Sequence, residues 1–338
     1  MNVLVTGGLG YIGSHTVLAL LEAGHQVAII DNLSNSEYTV LERLQKLSGK
    51  KIAFYQIDVL HQAALQEVFE QEKQLNGIIH FAAKKSVPQS VAQPSYYYEQ
   101  NIGGLINLLK MVEKYEIPQL VFSSSCRIYG EPEAIPIKED TPRNQPLTPY
   151  GHTKLIAESL LEEFARLKPF VSIALLRYFN PVGAHPSAQI GELPRGVPGN
   201  LMPYITQVAA GWREELTIYG NDYGTPDKTA VRDFIHVVDL ADAHLRAFEW
   251  LETQKGGAEA FNIGTGKGYS VLEVVKSFEQ ISKLQLPYRF AERRLGDIEK
   301  IWADPTKARE ILHWEAKYDL DDMTRSSWNW QQQLESKP

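Results

Sequence analysis

Cysteine is nearly absent: the 338 residues include one, Cys126. A single thiol cannot close an internal disulfide, so a reducing compartment is expected and the cytoplasm is the default location. Long apolar runs are missing as well. No segment reaches the roughly 18 consecutive apolar residues of a membrane span. No basic stretch ahead of an apolar one opens the chain, so neither a span nor an export signal is expected. The nine histidines form no HxxxH or HExxH spacing and no Cys/His cluster, which leaves no case for a metal site. His25, His80 and His236 read as strand-end or packing residues. Positive charge is not in excess either. A formal net charge of -7 argues against a nucleic-acid-coating protein while leaving room for a local basic pocket for phosphate. The expected partner is a small molecule, not a nucleic acid or a membrane.

What is present is the texture of an α/β protein large enough for two units. Over the first 180 residues, short β-branched apolar runs alternate with helix-period segments, the pattern of a parallel sheet covered by helices. Strands are expected at Val3 to Val5, Gln26 to Ile30, Ile52 to Ile57, Gly77 to Phe81, Leu120 to Ser123 and Val171 to Leu176. Helices are expected at Tyr11 to Ala23, stopped by Gly24, and most clearly at Tyr97 to Lys114 and Tyr150 to Leu167. After Arg177, four prolines and four glycines between Asn180 and Gly199 mark a long irregular stretch, of a length that is often functional. Helices at Leu201 to Gly211, Val238 to Leu251 and Asp304 to Leu312 follow. The expected architecture is a Rossmann-type, doubly wound parallel sheet over residues 1–180. A smaller C-terminal mixed α/β lobe for substrate over 181–338 follows, with some of its segments returning to the first unit.

Between the first strand and first helix runs Thr6-Gly7-Gly8-Leu9-Gly10-Tyr11-Ile12-Gly13. A dinucleotide's pyrophosphate needs a tight turn there and close backbone approach to a positive helix N-terminus, so side chains at Gly7, Gly10 and Gly13 would obstruct it. An acidic residue at the end of the second strand, Asp31, lies eighteen positions after Gly13. Its carboxylate suits the ribose hydroxyls and repels a 2′-phosphate, which favours NAD over NADP. Asn32, Leu33, Ser34 and Asn35 follow, with no arginine among them. Asp58, ending the third strand, is a further candidate for the adenine edge, and an ordinary turn aspartate reads nearly as well.

Tyr150 and Lys154 stand four apart at the start of a helix and so share a face. Ser125 ends a strand, at the sheet edge where ligands of such folds bind. A tyrosine ionises near pH 10; lowering that to about 7, worth about 4 kcal/mol, lets it act as a base, and a neighbouring ammonium and a nicotinamide cation both push that way.

The order TGGxGxxG, SSS, YxxxK resembles the extended short-chain dehydrogenase/reductase family. Over nearly the whole chain, TGGLGYIGSH, DNLSNS, HFAAKKSV, SSSCRIYGE, PYGHTKL, LLRYFNPVGAHPS, NLMPYI, VRDFIHVVDLA, FNIGTGKGYSV and RRLGD are similar to the UDP-glucose (UDP-galactose) 4-epimerase family. That resemblance implies catalysis by Ser125, Tyr150 and Lys154, with NAD held tightly. It implies cofactor contacts at Tyr11, Ile12, Asn32, Asn35, Ser36, Val59, Phe81, Ala82 and Tyr178, and it has Lys85 and Asn101 holding the nicotinamide half. For UDP-glucose and UDP-galactose it implies Tyr178, Phe179 and Asn180 around the sugar and first phosphate, and Asn200 and Leu201 near the second. Arg232, Arg294 and Asp297 would then lie around phosphate and uridine ribose. Two arginines on separate segments suit a pyrophosphate clamp. The implied reaction oxidises C4, turns the 4-keto sugar over and reduces it on the other face. Whether Ser125 relays the C4 proton or only orients the oxygen stays open. A homodimer is implied, through helices that include Tyr97 to Lys114 and Tyr150 to Leu167.

Three positions depart from the resemblance. Dehydratases of the wider family place Asp and Glu directly after the Ser/Thr, and decarboxylases keep a Glu; this chain has Cys126 and Arg127. Arginine stays protonated and cannot serve as their base. The epimerases usually carry Ala-Thr there, so Arg127 is unusual for them too; it either reaches a phosphate or fills part of the sugar pocket. Ile301 stands where a bulky Tyr or a small residue is found, which leaves acceptance of N-acetylated sugars open, and Leu105 stands where Thr is common. A non-catalytic NAD-binding sensor or scaffold is the alternative of another class.

Overall fold

Apolar β-branched runs without polar alternation form strands that are buried on both faces, as a helix-covered parallel sheet requires. In the computed structural model, which describes residues 1–294 and 297–335, these are β1 (Asn2–Thr6), β2 (Gln26–Ile30), β3 (Ala53–Tyr55), β4 (Gly77–His80), β5 (Gln119–Ser123) and β6 (Ser172–Tyr178). Between them lie α1 (Tyr11–Glu22), α2 (Tyr38–Ser48), α3 (Gln62–Gln71), α4 (Val87–Ala92), α5 (Pro94–Tyr98), α6 (Gly104–Lys114) and α7 (Pro149–Leu167). The strands lie in the order β3-β2-β1-β4-β5-β6, all parallel. The winding reverses between β1 and β4, which opens a crevice at their carboxyl ends where ligands of such sheets bind. This is the doubly wound Rossmann-type architecture expected from the sequence.

Alternate residues of each strand feed different cores. Val3, Val5, Ile29 and Val121 pack on one face with Val17 and Leu20 of α1, while Leu4, Ile30, Ile78 and Leu120 pack on the other with Leu108 of α6 and Leu161 of α7. After β7 (Asn180–Val182) the chain builds α8 (Leu201–Ala209), β8 (Leu216–Tyr219), β9 (Val231–Arg232) and β10 (Phe234–His236). It then returns through α9 (Val237–Leu251) to β11 (Gly257–Ile263), which adds a seventh parallel strand beside β6. The rest is β12 (Tyr269–Ser270), α10 (Val271–Ser282), β13 (Tyr288–Ala291), β14 (Lys300–Ile301), α11 (Thr306–Ile311) and α12 (Leu320–Glu335). Small ribbons, β8 with β13 and β9 with β12 and β14, give this region a mixed α/β character and a core that includes Met202, Ile205, Ile218 and Phe278. No helix among the described residues is long and apolar enough to cross a membrane.

One expected helix is not continuous. Tyr97 to Lys114 divides into the end of α5, a π-helical turn at Glu99–Gly103, and α6. The turn is set by a contact remote in sequence. Asn101 is buried, its Oδ1 accepting from the Lys84 N–H at 2.8 Å and its Nδ2 donating to Thr153 Oγ1 at 3.0 Å. Gly104 beside it presses so close to Val59 that a Cβ would lie 2.8 Å from the Val59 side chain. The π-helical turn carries Asn101 into these hydrogen bonds and leads directly into Gly104.

Candidate active site

The glycine loop forms as its spacing requires. Gly7 takes φ +69°, its N–H donates to Ile30 O at 2.7 Å, and the Gly10 N–H returns to Gly7 O at 3.1 Å. A Cβ on Gly13 would lie 2.2 Å from the Gly7 carbonyl oxygen, and one on Gly7 would lie 2.8 Å from the Ala82 nitrogen. Both neighbours are backbone and cannot yield. No side chain caps the N-terminus of α1 and no acidic residue occupies its first turn, so the loop is an anion cradle fit for a pyrophosphate. The Asp31 carboxylate braces it, accepting from Leu9 N at 3.1 Å, Leu33 N at 2.9 Å and Ser36 Oγ at 2.7 Å. A carboxylate offers about four lone-pair sites, so acceptor capacity is left for a ribose hydroxyl. Asn32 donates to Asp58 at 2.7 Å, Asn35 is exposed, and Phe81 and Ala82 follow β4 at the crevice.

Two residues that sequence reasoning passed over also reach this rim. Arg195, from the irregular segment, donates to the carbonyls of Ser34 and Ser36 at 2.9 and 2.7 Å, and Lys84 donates to Ser34 Oγ at 3.0 Å. Arg195 lies 161 residues from Ser34, and no local pattern could have joined them.

At the end of β5, Ser125 caps a 3-10 turn at Cys126–Tyr129, its Oγ accepting from the Arg127 N–H at 3.3 Å. Tyr150 opens α7 and shares a hydrogen bond with Ser125. Lys154, one turn on, is buried; its Nζ donates to Ser123 O at 2.6 Å and lies 4.8 Å from the Phe122 ring centroid. Burial lowers the Lys154 ammonium to about 8, against the opposing charge of Glu158. Tyr178 is hydrogen-bonded to Ser123 through their hydroxyls.

The protein's own groups set the Tyr150 phenol by burial and by charge. Burial pushes its phenol up to about 12, and the main opposing pull comes from the Arg127 guanidinium, with the Ser125 hydrogen bond helping. The sequence pointed to the Lys154 ammonium together with a nicotinamide cation as the activating charges. In the structure that ammonium is turned to a backbone carbonyl, and removal of the phenol from water outweighs the remaining attraction.

Behind these residues lies a buried charge network. Glu158 accepts from Arg177 Nη2 at 2.7 Å and from Ser124 Oγ, while Arg177 Nη1 donates to Tyr129 OH at 2.9 Å and that hydroxyl donates to Asn262 at 2.7 Å. Glu158 stands four residues after Lys154 and eight after Tyr150, a helical spacing that was available in the sequence as a signal.

On the other wall, Phe179 packs with Cys126, Ile128 and Ile301 in one apolar cluster, and burial raises the Cys126 thiol to about 11. Asn180 begins β7, and Asn200 caps α8 by position, its side chain donating instead to Glu192 at 2.8 Å, with Leu201 next. Glu192 also takes the Lys85 ammonium at 3.0 Å, so one carboxylate joins a residue expected at the cofactor to one expected at the substrate. Arg232 is ion-paired with Asp297, and Tyr223 OH approaches Asp297 at 3.5 Å. Arg294 lies over the Tyr219 ring at 4.0 Å. Leu295 and Gly296 of the RRLGD segment lie outside the described residues.

A glycine cradle at the switch point, with a Ser-Tyr-Lys group at the carboxyl edge of the same sheet, defines an extended short-chain dehydrogenase/reductase. The family model described as GDP-mannose 4,6 dehydratase matches residues 4–327. UDP-glucose 4-epimerase of Bacillus subtilis (strain 168) is 51% identical over 331 residues, covering 98% of this chain and 97% of that protein. The Dictyostelium discoideum UDP-glucose 4-epimerase is 49% identical, covering 98% and 95%. Among solved structures, UDP-glucose-4-epimerase from Stenotrophomonas maltophila with bound NAD and formylated UDP-arabinopyranose superposes with TM-score 0.96 at 45% identity, covering 99% of both chains. The Bifidobacterium longum enzyme in complex with NAD+ and UDP gives 0.95, also at 45%, covering 98% of both. The chain belongs to the UDP-glucose 4-epimerase family.

Proposed function

We propose that this chain interconverts UDP-glucose and UDP-galactose, with NAD as its cofactor. The observation that carries epimerisation over the elimination named in the family model is the pair that follows Ser125. Cys126 is a buried, neutral thiol and Arg127 a permanent cation, so no acid/base couple stands where a dehydratase needs one. Phe179 and Ile301, packed on Cys126, supply an apolar wall for a sugar ring.

The glycine loop, with Tyr11, Ile12, Asp31, Asn32, Asn35, Ser36, Asp58 and Val59, holds the adenosine and pyrophosphate. Phe81, Ala82, Lys85, Asn101, Tyr150, Lys154 and Tyr178 line the nicotinamide half. Bound there, NAD would supply a reversible hydride acceptor for the sugar C4, so that epimerisation would proceed through a 4-keto sugar with no net redox change. Ser125 orients the C4 oxygen. Tyr150 takes its proton and gives it back, and Lys154 fixes the floor through Ser123. Asn180, Asn200, Leu201, Arg232, Arg294 and Asp297 hold the nucleotide, leaving the sugar to swing about the pyrophosphate. Residues 1–180, together with α9 and β11, form the cofactor unit, and the remainder forms the substrate lobe. The active form is a homodimer built on α5, α6 and α7, where Ile106 and Leu167 are exposed; light scattering tests this.

Purified protein given UDP-galactose is expected to form UDP-glucose. No turnover in protein that holds NAD overturns the proposal, and turnover of the N-acetylated pair alone moves the assignment to that sugar. The cofactor cradle has its own test. Gly13→Ala drives a methyl group into the Gly7 carbonyl and is expected to weaken NAD binding at least about tenfold, a loss of about 1.4 kcal/mol. Titration calorimetry giving wild-type affinity would mean the loop does not carry the pyrophosphate.

A further inference from the structure

Cations around the cleft are nearly all matched. Lys85 is paired with Glu192, Arg232 with Asp297, Lys154 donates to a backbone carbonyl, and Arg195 donates to two. Arg294 is stacked on Tyr219. Arg127 has no carboxylate within ion-pair distance among the described residues, although it stands two residues from Ser125. Its place is set by backbone. The Arg127 N–H donates to Ser125 Oγ, and its neighbours Cys126 and Ile128 are buried to either side. Its carbonyl oxygen and Cβ face Gly151, where a Cβ would meet them at 3.4 and 3.5 Å. The Arg127 side chain is exposed beside Ser125 and the start of α7, and its charge is felt at both Tyr150 and Cys126.

We propose that Arg127 makes the sugar subsite accept a UDP-hexose bearing a carboxylate at C6, so that UDP-hexuronates are epimerised at C4. This rests on the epimerase reading above. A neutral hexose gives Arg127 nothing to pair with, whereas a C6 carboxylate matches the planar guanidinium in charge and geometry. The step balances as it does for the neutral sugar. The C4–H and O4–H bonds are broken and re-formed, and no external oxidant is consumed. One hazard is particular to a uronate. With C4 oxidised, its carboxylate is β to a ketone, and loss of carbon dioxide would leave an electron pair at C5. Pairing with Arg127 stabilises the carboxylate against that loss, and neither Cys126 nor Arg127 offers the C5 position an acid.

The test uses the NAD-loaded wild type with Arg127→Thr and Arg127→Lys, each given UDP-galactose and UDP-galacturonate, with products separated chromatographically. Arg127 is exposed, so neither variant disturbs packing. Wild type is expected to form UDP-glucuronate. Arg127→Thr is expected to lower the kcat/KM ratio of uronate to neutral sugar by about 10- to 100-fold, the weight of a charge-assisted pair, and Arg127→Lys to restore part of it. Three results overturn the proposal: UDP-galactose is turned over while the uronate is untouched, the uronate is converted only to a UDP-pentose, or the ratio is unchanged in Arg127→Thr. An equal loss for both sugars and for UDP would assign Arg127 to the phosphates and overturn it as well. Failure of wild type on UDP-galactose instead removes the epimerase reading itself.

Discussion

Tyr150→Phe is expected to lower kcat about 10³-fold or more while NAD remains bound and the fold is kept. The substitution removes one oxygen from a side chain that is half-buried at the start of α7. Nothing in the glycine cradle depends on that oxygen, so cofactor content is spared. What is lost is the group proposed to move the C4 proton, and positioned acid/base catalysis is worth about 10² to 10⁴. The protein alone leaves that group far from ready: with the phenol pushed up to about 12, only about one in 10⁵ is ionised at pH 7. A fall toward neutrality needs a second positive charge beside the ring, which an oxidised nicotinamide would supply alongside Arg127. Steady-state rates together with the NAD content of the purified variant check this. A near-wild-type rate would mean that the base is another residue.

The parts of the fold and site that were legible in the sequence are those set by neighbours along the chain. Gln26–Ile30 appears as expected, and the helix after the glycine loop begins at Tyr11, because a tight turn, a strand and an uncapped helix N-terminus are local requirements. Contacts between distant segments were not legible. The π-turn at Asn101 follows from Lys84 and Thr153, and the Glu192 link from Lys85 to Asn200 spans 107 residues on one side. The hydrogen bond from Lys154 to Ser123 was not legible for the same reason. The YxxxK spacing puts Lys154 on the right face, but the rotamer that carries its ammonium to Ser123 O depends on the β5 backbone, which no helical spacing describes.

The largest stability effect is expected at Glu158. Arg177 and Glu158 are both buried, and burial alone would lower the Arg177 guanidinium; hydrogen bonds and charge from Glu158 outweigh that and hold it above its ordinary value. Removing one partner of such a pair leaves the other charged, dry and unmatched, at a cost of about 3–5 kcal/mol. Glu158→Leu is therefore expected to lower the unfolding free energy by about that amount in urea. Arg143, a second and more exposed cation that reaches Glu158 at 3.4 Å, loses that contact but keeps Glu162 at 2.9 Å. The double variant Glu158→Leu, Arg177→Met removes both charges, and because apolar groups often replace a buried pair at little cost, it is expected to be more stable than the single one. Its rate should still suffer. Ser124 and Tyr129 flank Ser125 and both hold onto this network, so their release loosens the turn that carries Ser125, and kcat should fall more than KM rises. A single variant within about 1 kcal/mol of wild type, the level of an exposed ion pair, would show that the network is not the strut behind the site.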